Sequence, residues 1–187
     1  MDQKTALIER MIEGNSRYLT SIHSAGDVSP AMRLKTASEG QSPYAIVICC
    51  SDSRVLPESI FSAGIGELFV IRVAGNVLDR HQLGSIEYAA EHLGCKLILV
   101  LGHTGCGAVA AALHGESGGF IRYITDEIRL AIGQEQDPDR ACELNVAHAV
   151  ESIRSAFAEH PEIPSSGLEI RGAVYDIASG EVRWLEE

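Results

Sequence analysis

Two cysteines, one histidine, an aspartate and an arginine stand in this chain at spacings that suit metal chemistry. They fall in Cys50-Ser51-Asp52-Ser53-Arg54 and Gly102-His103-Thr104-Gly105-Cys106-Gly107. Cys50, His103 and Cys106 offer two thiolates and an imidazole, a donor set that prefers zinc and tolerates cobalt or ferrous iron. Three protein ligands leave the fourth tetrahedral position free for water, as in catalytic rather than structural zinc sites. His103 and Cys106 have metal-ligand spacing, but Cys50 is distant in sequence, so the fold must bring it to them. Asp52 and Arg54 follow Cys50 closely enough for the guanidinium to hold the carboxylate ionised and oriented. Water on a thiolate-rich site is less acidic than on an all-histidine one, and Asp52 is placed to serve as its base. Cys106, read as lying in the first turn of a helix, is expected to be acidified by the helix dipole. A further stretch, Arg72-Val73-Ala74-Gly75-Asn76, holds Arg72 and Asn76, read as groups that fix loops beneath the metal.

These residues need elements to position them. Residues 44–50, 67–73 and 96–101 are apolar runs rich in β-branched side chains. Helical patterns separate them: 3–23, with Leu7, Met11, Tyr18 and Ile22 on one stripe; 30–38; 55–62; 82–93; 108–113; 119–132; and 140–159. Gln136-Asp137-Pro138 reads as a break between the last two. Continuous apolar strands between helices predict a parallel sheet buried on both faces. The end of the chain, 168–177 and 181–185, reads as a hairpin or a pair of edge strands. The expected fold is therefore α/β, a mostly parallel central sheet flanked by helices, with C-terminal edge strands. All three motifs follow predicted strands, and in such sheets ligands bind at the strands' carboxyl ends. Cys49 should point to the opposite face from Cys50, as a core residue.

Length and composition set the bounds. The 187 residues suit a single domain, 1–187, and 45% hydrophobic with 22% charged residues is ordinary for a globular protein. Twenty-six acidic against 15 basic residues give a net charge of −11, which argues against nucleic-acid and anionic-membrane partners. There is no secretory signal and no apolar run near the roughly 18 residues of a membrane span. Five cysteines without framework spacing do not describe disulfides, so the expected setting is cytoplasmic, with reduced thiols. Cys95 and Cys142 are read as inert. His81 is the one further histidine worth testing as a proton shuttle.

The three motifs, in this order, resemble those of the β-class carbonic anhydrases. The likeness runs over residues 41–113 and continues more weakly through Glu143-Leu-Asn-Val-Ala and Gly172-Ala-Val-Tyr-Asp-Ile-Ala-Ser-Gly180. The resemblance implies one Zn2+ per subunit on Cys50, His103 and Cys106, with Asp52 and Arg54 as the catalytic pair. It implies reversible hydration of carbon dioxide to bicarbonate and a proton by zinc-bound hydroxide. Gln41, Phe69, Tyr88 and Gly107 match substrate-pocket positions, part of which a partner subunit supplies. It further implies a homodimer or higher homo-oligomer, with an N-terminal helical arm, 1–40, packing on a partner. In a second state of the family the Asp of the first motif coordinates zinc. Members favouring that state carry a Trp where this chain has Val47, so no regulatory bicarbonate site and an open resting site are expected. Two alternatives stand beside this reading: a carbonyl sulfide or carbon disulfide hydrolase on the same scaffold, and a non-catalytic zinc- or bicarbonate-binding protein.

Overall fold

The computed structural model describes residues 3–20, 26–160 and 167–186. The three apolar runs form β1 (Ala45–Cys49), β2 (Leu68–Arg72) and β3 (Leu97–His103). With β4 (Glu169–Tyr175) and β5 (Val182–Trp184) they make one sheet in the order β2-β1-β3-β4-β5. The first four of these neighbours run parallel and β5 alone is antiparallel. Cys49 pairs with Arg72 on one side and Leu101 on the other, so β1 and β2 end together and β3 runs two residues further, to His103. That register brings the three motifs to one end of the sheet.

Among the described residues seven α-helices surround it: α1 (Gln3–Thr20), α2 (Pro30–Glu39), α3 (Pro57–Ile60), α4 (Arg80–His92), α5 (Gly107–Leu113), α6 (Ile121–Ile132) and α7 (Pro138–Glu159). Strand side chains alternate between two faces, as the pleat requires. Ile46, Ile48, Ile98 and Val100 pack with Ile86 of α4 and Val146 and Ile153 of α7. Ala45, Val47, Cys49, Leu97 and Leu99 pack with Met11 of α1 and with Ile60 and Phe61. Cys49 thus lies in the core, across the strand from Cys50.

The break at Gln136-Asp137-Pro138 separates α6 from α7 as expected, and its last two residues start α7: the Asp137 side chain accepts the Arg140 N–H at 2.8 Å, and Pro138 opens the helix. Two expectations change. The predicted 119–132 helix begins at Ile121. The two C-terminal strands form the antiparallel hairpin, one of the two expected arrangements, and of the pair only β5 is an edge. β4 lies inside the sheet, paired with β3 from Leu97↔Glu169 to His103↔Tyr175. Its charges are matched: Arg171 Nε donates to Glu169 Oε1 at 2.6 Å, and Lys4 lies 3.5 Å from Glu169.

The N-terminal arm divides into two parts. α1 belongs to its own subunit's core through the fully buried Met11. Asn15 fastens it there, donating from Nδ2 to the carbonyls of Ile60 (3.3 Å) and Gly180 (3.0 Å) and accepting the Val182 N–H at 3.1 Å. α2 starts with a Ser29 cap and Pro30 but buries no residue, and Leu34 stands in solvent. Ile22, the last position of the predicted stripe, lies outside the described residues. Among the described residues no helix is long and apolar enough to cross a membrane.

Candidate metal centre

Cys50 directly follows β1, His103 ends β3, and Cys106 is the residue that caps α5. Their ligand atoms all lie within 4.8 Å of one another, and all three residues are buried. Val109, Ala112, Ile128 and Ala141 pack against the two cysteines as an apolar wall. His103 Nδ1 is 3.0 Å from the Thr104 carbonyl. A carbonyl only accepts, so the neutral ring carries its proton on Nδ1 and keeps the Nε2 lone pair free. Nε2 is buried and has no hydrogen-bond partner. Left alone, such an atom costs roughly 1–3 kcal/mol; beside two thiols, a metal ion removes that cost. Donor types, orientation and the orphaned nitrogen all fit zinc.

The two thiols are not equivalent. Cys50 Sγ accepts backbone N–H groups from Asp52 (3.4 Å) and Gly75 (3.3 Å). The neighbouring Cys106 thiol, helped by His103 and these amides, holds the Cys50 thiol down to about 4 against the effect of burial. Cys106 moves the other way, pushed up by the Cys50 thiolate and by burial. The amides of Ala108 and Val109 in α5 act on Cys106 in the expected direction, but without a metal ion the Cys50 thiolate beside it and burial outweigh them. A metal ion held there would supply the positive charge under which both can be thiolates.

Three loops converge on Cys50. Gly75 has φ 67°, and a Cβ there would lie 2.8 Å from Ile128 Cδ1, so only glycine brings its N–H onto the sulfur. Asn145 of α7, 3% exposed, donates to the Gly75 carbonyl at 2.8 Å. Arg72 donates from Nε to the Cys50 carbonyl (3.2 Å) and from Nη2 to the Asp52 carbonyl (2.7 Å). Asn76 is buried beside them with φ 47°. The sequence reading gave Asn145 no role, although it stands in the Glu143-Leu-Asn-Val-Ala stretch of the resemblance, as one amide inside the apolar stripe of α7.

Asp52 is gripped by Arg54 through both oxygens: Nε to Oδ1 at 2.9 Å and Nη2 to Oδ2 at 2.7 Å, with the Arg54 backbone N–H on Oδ1 at 3.0 Å. This grip holds the carboxyl well below the usual carboxylate range. Arg54 Nη2 also reaches the Gly105 carbonyl at 3.3 Å, tying the first motif to the third. Asp52 is not part of the ligand group.

The remaining candidates divide by location. Gly107 opens α5 beside Cys106, and a Cβ there would meet nothing within 4 Å, so this side of the site is open. Gln41 is exposed and lies against Gly66, just before β2, at the amino ends of the strands. At about 3.3 Å per residue, a five-residue strand puts it on the order of 15 Å from the metal end. Phe69 of β2 and Tyr88 of α4 have ring centroids 6.3 Å apart, with Tyr88 48% exposed. Gln41, Phe69 and Tyr88 follow the open edge of the sheet, and none belongs to the cluster packed round Cys50 and Cys106. His81 is exposed at the start of α4, 3.5 Å from Asp79. Cys95 donates to the Pro43 carbonyl, and Cys142 to that of His103. Burial pushes both of these thiols up to about 11.

Residues 45–182 match the family model described as carbonic anhydrase. Carbonic anhydrase 2 of Mycobacterium tuberculosis is 36% identical over 181 residues, which cover 90% of this chain and 86% of that protein. The crystal structure of the β-carbonic anhydrase CafA of Aspergillus fumigatus superposes with a TM-score of 0.75 at 31% identity, covering 83% of this chain and 81% of that one. One of two tetrameric β-carbonic anhydrases from Sordaria macrospora gives 0.70 at 32% identity, covering 85% and 88%. Sheet order, clustered thiols and imidazole, and likeness over most of its length agree: this chain belongs to the β-class carbonic anhydrases.

Proposed function

We propose that the chain holds one zinc ion per subunit on Cys50, His103 and Cys106 and interconverts carbon dioxide and bicarbonate there. One observation carries this reading most: the buried, unpartnered His103 Nε2 beside two thiols, next to a carboxylate already ionised and aimed by Arg54. When bound, the ion supplies Lewis acidity that makes water a nucleophile near neutral pH. Asp52 does the rest of the proton handling. An ionised carboxylate has about four lone-pair positions. Arg54 fills two on Oδ1 and one on Oδ2, so Oδ2 keeps one acceptor position for a water proton. The apolar wall of Val109 and Ile128 suits an uncharged, apolar substrate. Arg72 and Asn145 hold the loops that fix the distance between the ligands and Asp52.

Gln41, Phe69 and Tyr88 act, on this proposal, in a neighbour's site. They line the unpaired β2 edge and lie away from their own ligand group, so a second copy across that edge would receive them. The assembly is then a homodimer or a multiple of one, in keeping with the tetrameric Sordaria relatives. The five free cysteines suit a reducing compartment such as the cytoplasm.

Stopped-flow hydration of carbon dioxide by the zinc-loaded protein tests the reading, with Asp52→Ala and Arg54→Ala alongside. A wild type no faster than buffer ends it. Turnover of carbonyl sulfide in preference to carbon dioxide would move the chain to the alternative substrate.

A further inference from the structure

The peptide that holds His103 is itself held. Three hydrogen bonds meet on Thr104. Its N–H donates to the Tyr175 carbonyl at 3.0 Å. Its hydroxyl accepts the N–H of Ile177 at 3.1 Å, and its carbonyl accepts from His103 Nδ1 at 3.0 Å. Behind them the Cys142 thiol donates to the His103 carbonyl at 3.2 Å. The main chain at the metal ligand is thus tied to β4, to the loop after β4 and to α7.

The bonds made by the Thr104 N–H and carbonyl are backbone properties, available to most residues. The hydroxyl is not. The ladder between β3 and β4 ends at His103↔Tyr175, so sheet pairing offers the Ile177 N–H no partner. A backbone N–H in that position needs an acceptor from a side chain or water. A hydroxyl one carbon from the main chain supplies it. Thr104 is pinned to Tyr175 through its N–H and to Ile177 through its side chain, and from this anchored residue the carbonyl of the next peptide points at Nδ1. That contact selects the tautomer and the ring angle that leave Nε2 free inside the site.

We infer that Thr104 is a positioning residue for the metal ligand: its side-chain hydroxyl aims the carbonyl that presents His103 to zinc. The inference rests on the zinc site proposed above. Removing an outer partner of a metal-bound histidine weakens binding by roughly 10–100-fold. Thr104 acts one link further out, so the expected loss is near the lower end.

The experiment compares the full-length wild type with Thr104→Ser, Thr104→Ala and Thr104→Val. Zinc affinity is measured by competition with a chromophoric chelator, and the visible absorption of the cobalt-substituted proteins reports ligand geometry. Melting of the metal-free forms is followed in parallel. Thr104→Ser should stay within about threefold of wild type, while Thr104→Ala and Thr104→Val bind roughly tenfold more weakly with altered cobalt spectra. Equal affinities and spectra in all four overturn the inference even if melting temperatures fall, since the hydroxyl would then be merely structural. A Thr104→Ser variant as weak as Thr104→Ala also overturns it. If Thr104→Val does not fold, the Ser and Ala pair decides. Loss of the affinity ranking in a wild type that binds zinc and hydrates carbon dioxide sinks this inference alone. An intact ranking in a protein that does not hydrate carbon dioxide sinks only the proposed reaction.

Discussion

Asp52 and Arg54 face solvent more than the metal ligands do, yet their contact is a fixed fork and not a loose surface pair. Two parallel N–H donors and a backbone amide leave the carboxylate one way to point. Replacing Asp52 with Asn keeps the shape and removes the proton acceptor. We expect Asp52→Asn to retain zinc, by elemental analysis, and to lose roughly hundredfold or more in kcat, the usual worth of a positioned base. Arg54→Lys keeps the charge without the fork, so its activity should fall between wild type and Arg54→Ala. Equal activity for Lys and Ala would show that charge, and not geometry, does the work. These five side chains were legible in the sequence because metal and acid–base chemistry admit few residue types. The inequality of the thiols was not, since it depends on which sulfur receives the Asp52 and Gly75 amides.

The turn Ala74–Asn76 and helix α7 act at the scale of elements. Gly75→Ala would force a side chain into a left-handed backbone and against Ile128 and Ala108. It should cost about 1–3 kcal/mol of stability, read by chemical denaturation, and weaken zinc binding by displacing the N–H from Cys50. α7 is also fastened to β5, because Glu143 accepts from Arg140 within the helix and from Arg183 across to the strand. Arg140 first and then Arg183 hold the Glu143 carboxyl below its usual value. A depressed folded-state value means stability that is present above the unfolded carboxylate range and lost as pH falls through the folded one. Glu143→Gln should therefore melt below wild type at neutral pH and converge with it in acid. A gap that persists or widens in acid would remove the ion pairs from the explanation. Such cross-links also mark what the sequence hides. β1, β2 and β3 were readable as unbroken apolar runs, and their order of motifs placed the site. The interior position of β4 was not, because the pattern along one strand does not say which strands lie beside it.

In the whole molecule, the residues proposed for the pocket trace the β2 edge while the candidate metal group lies at the strand ends. If the proposed pairing across that edge holds, each site draws on two chains, and damage in one can be repaired by the other. Cys50→Ser subunits lack a metal site but offer intact aromatics; Tyr88→Ala subunits have the reverse defect. Mixing them after mild dissociation should recover roughly a quarter of wild-type activity, as random pairing into two-fold dimers predicts. No recovery, with exchange verified by mass, would mean that each chain completes its own pocket. Both large apolar layers run along the strands, and the three ligands cap only their tips. A bound ion would therefore work like a rivet through the rim and not like a pillar under the roof. Chelation should leave the far-ultraviolet circular dichroism almost unchanged, with faster amide exchange confined to 50–54, 73–76 and 103–107. Unlike a zinc finger, which collapses when stripped, this scaffold should survive emptied and ready to be recharged.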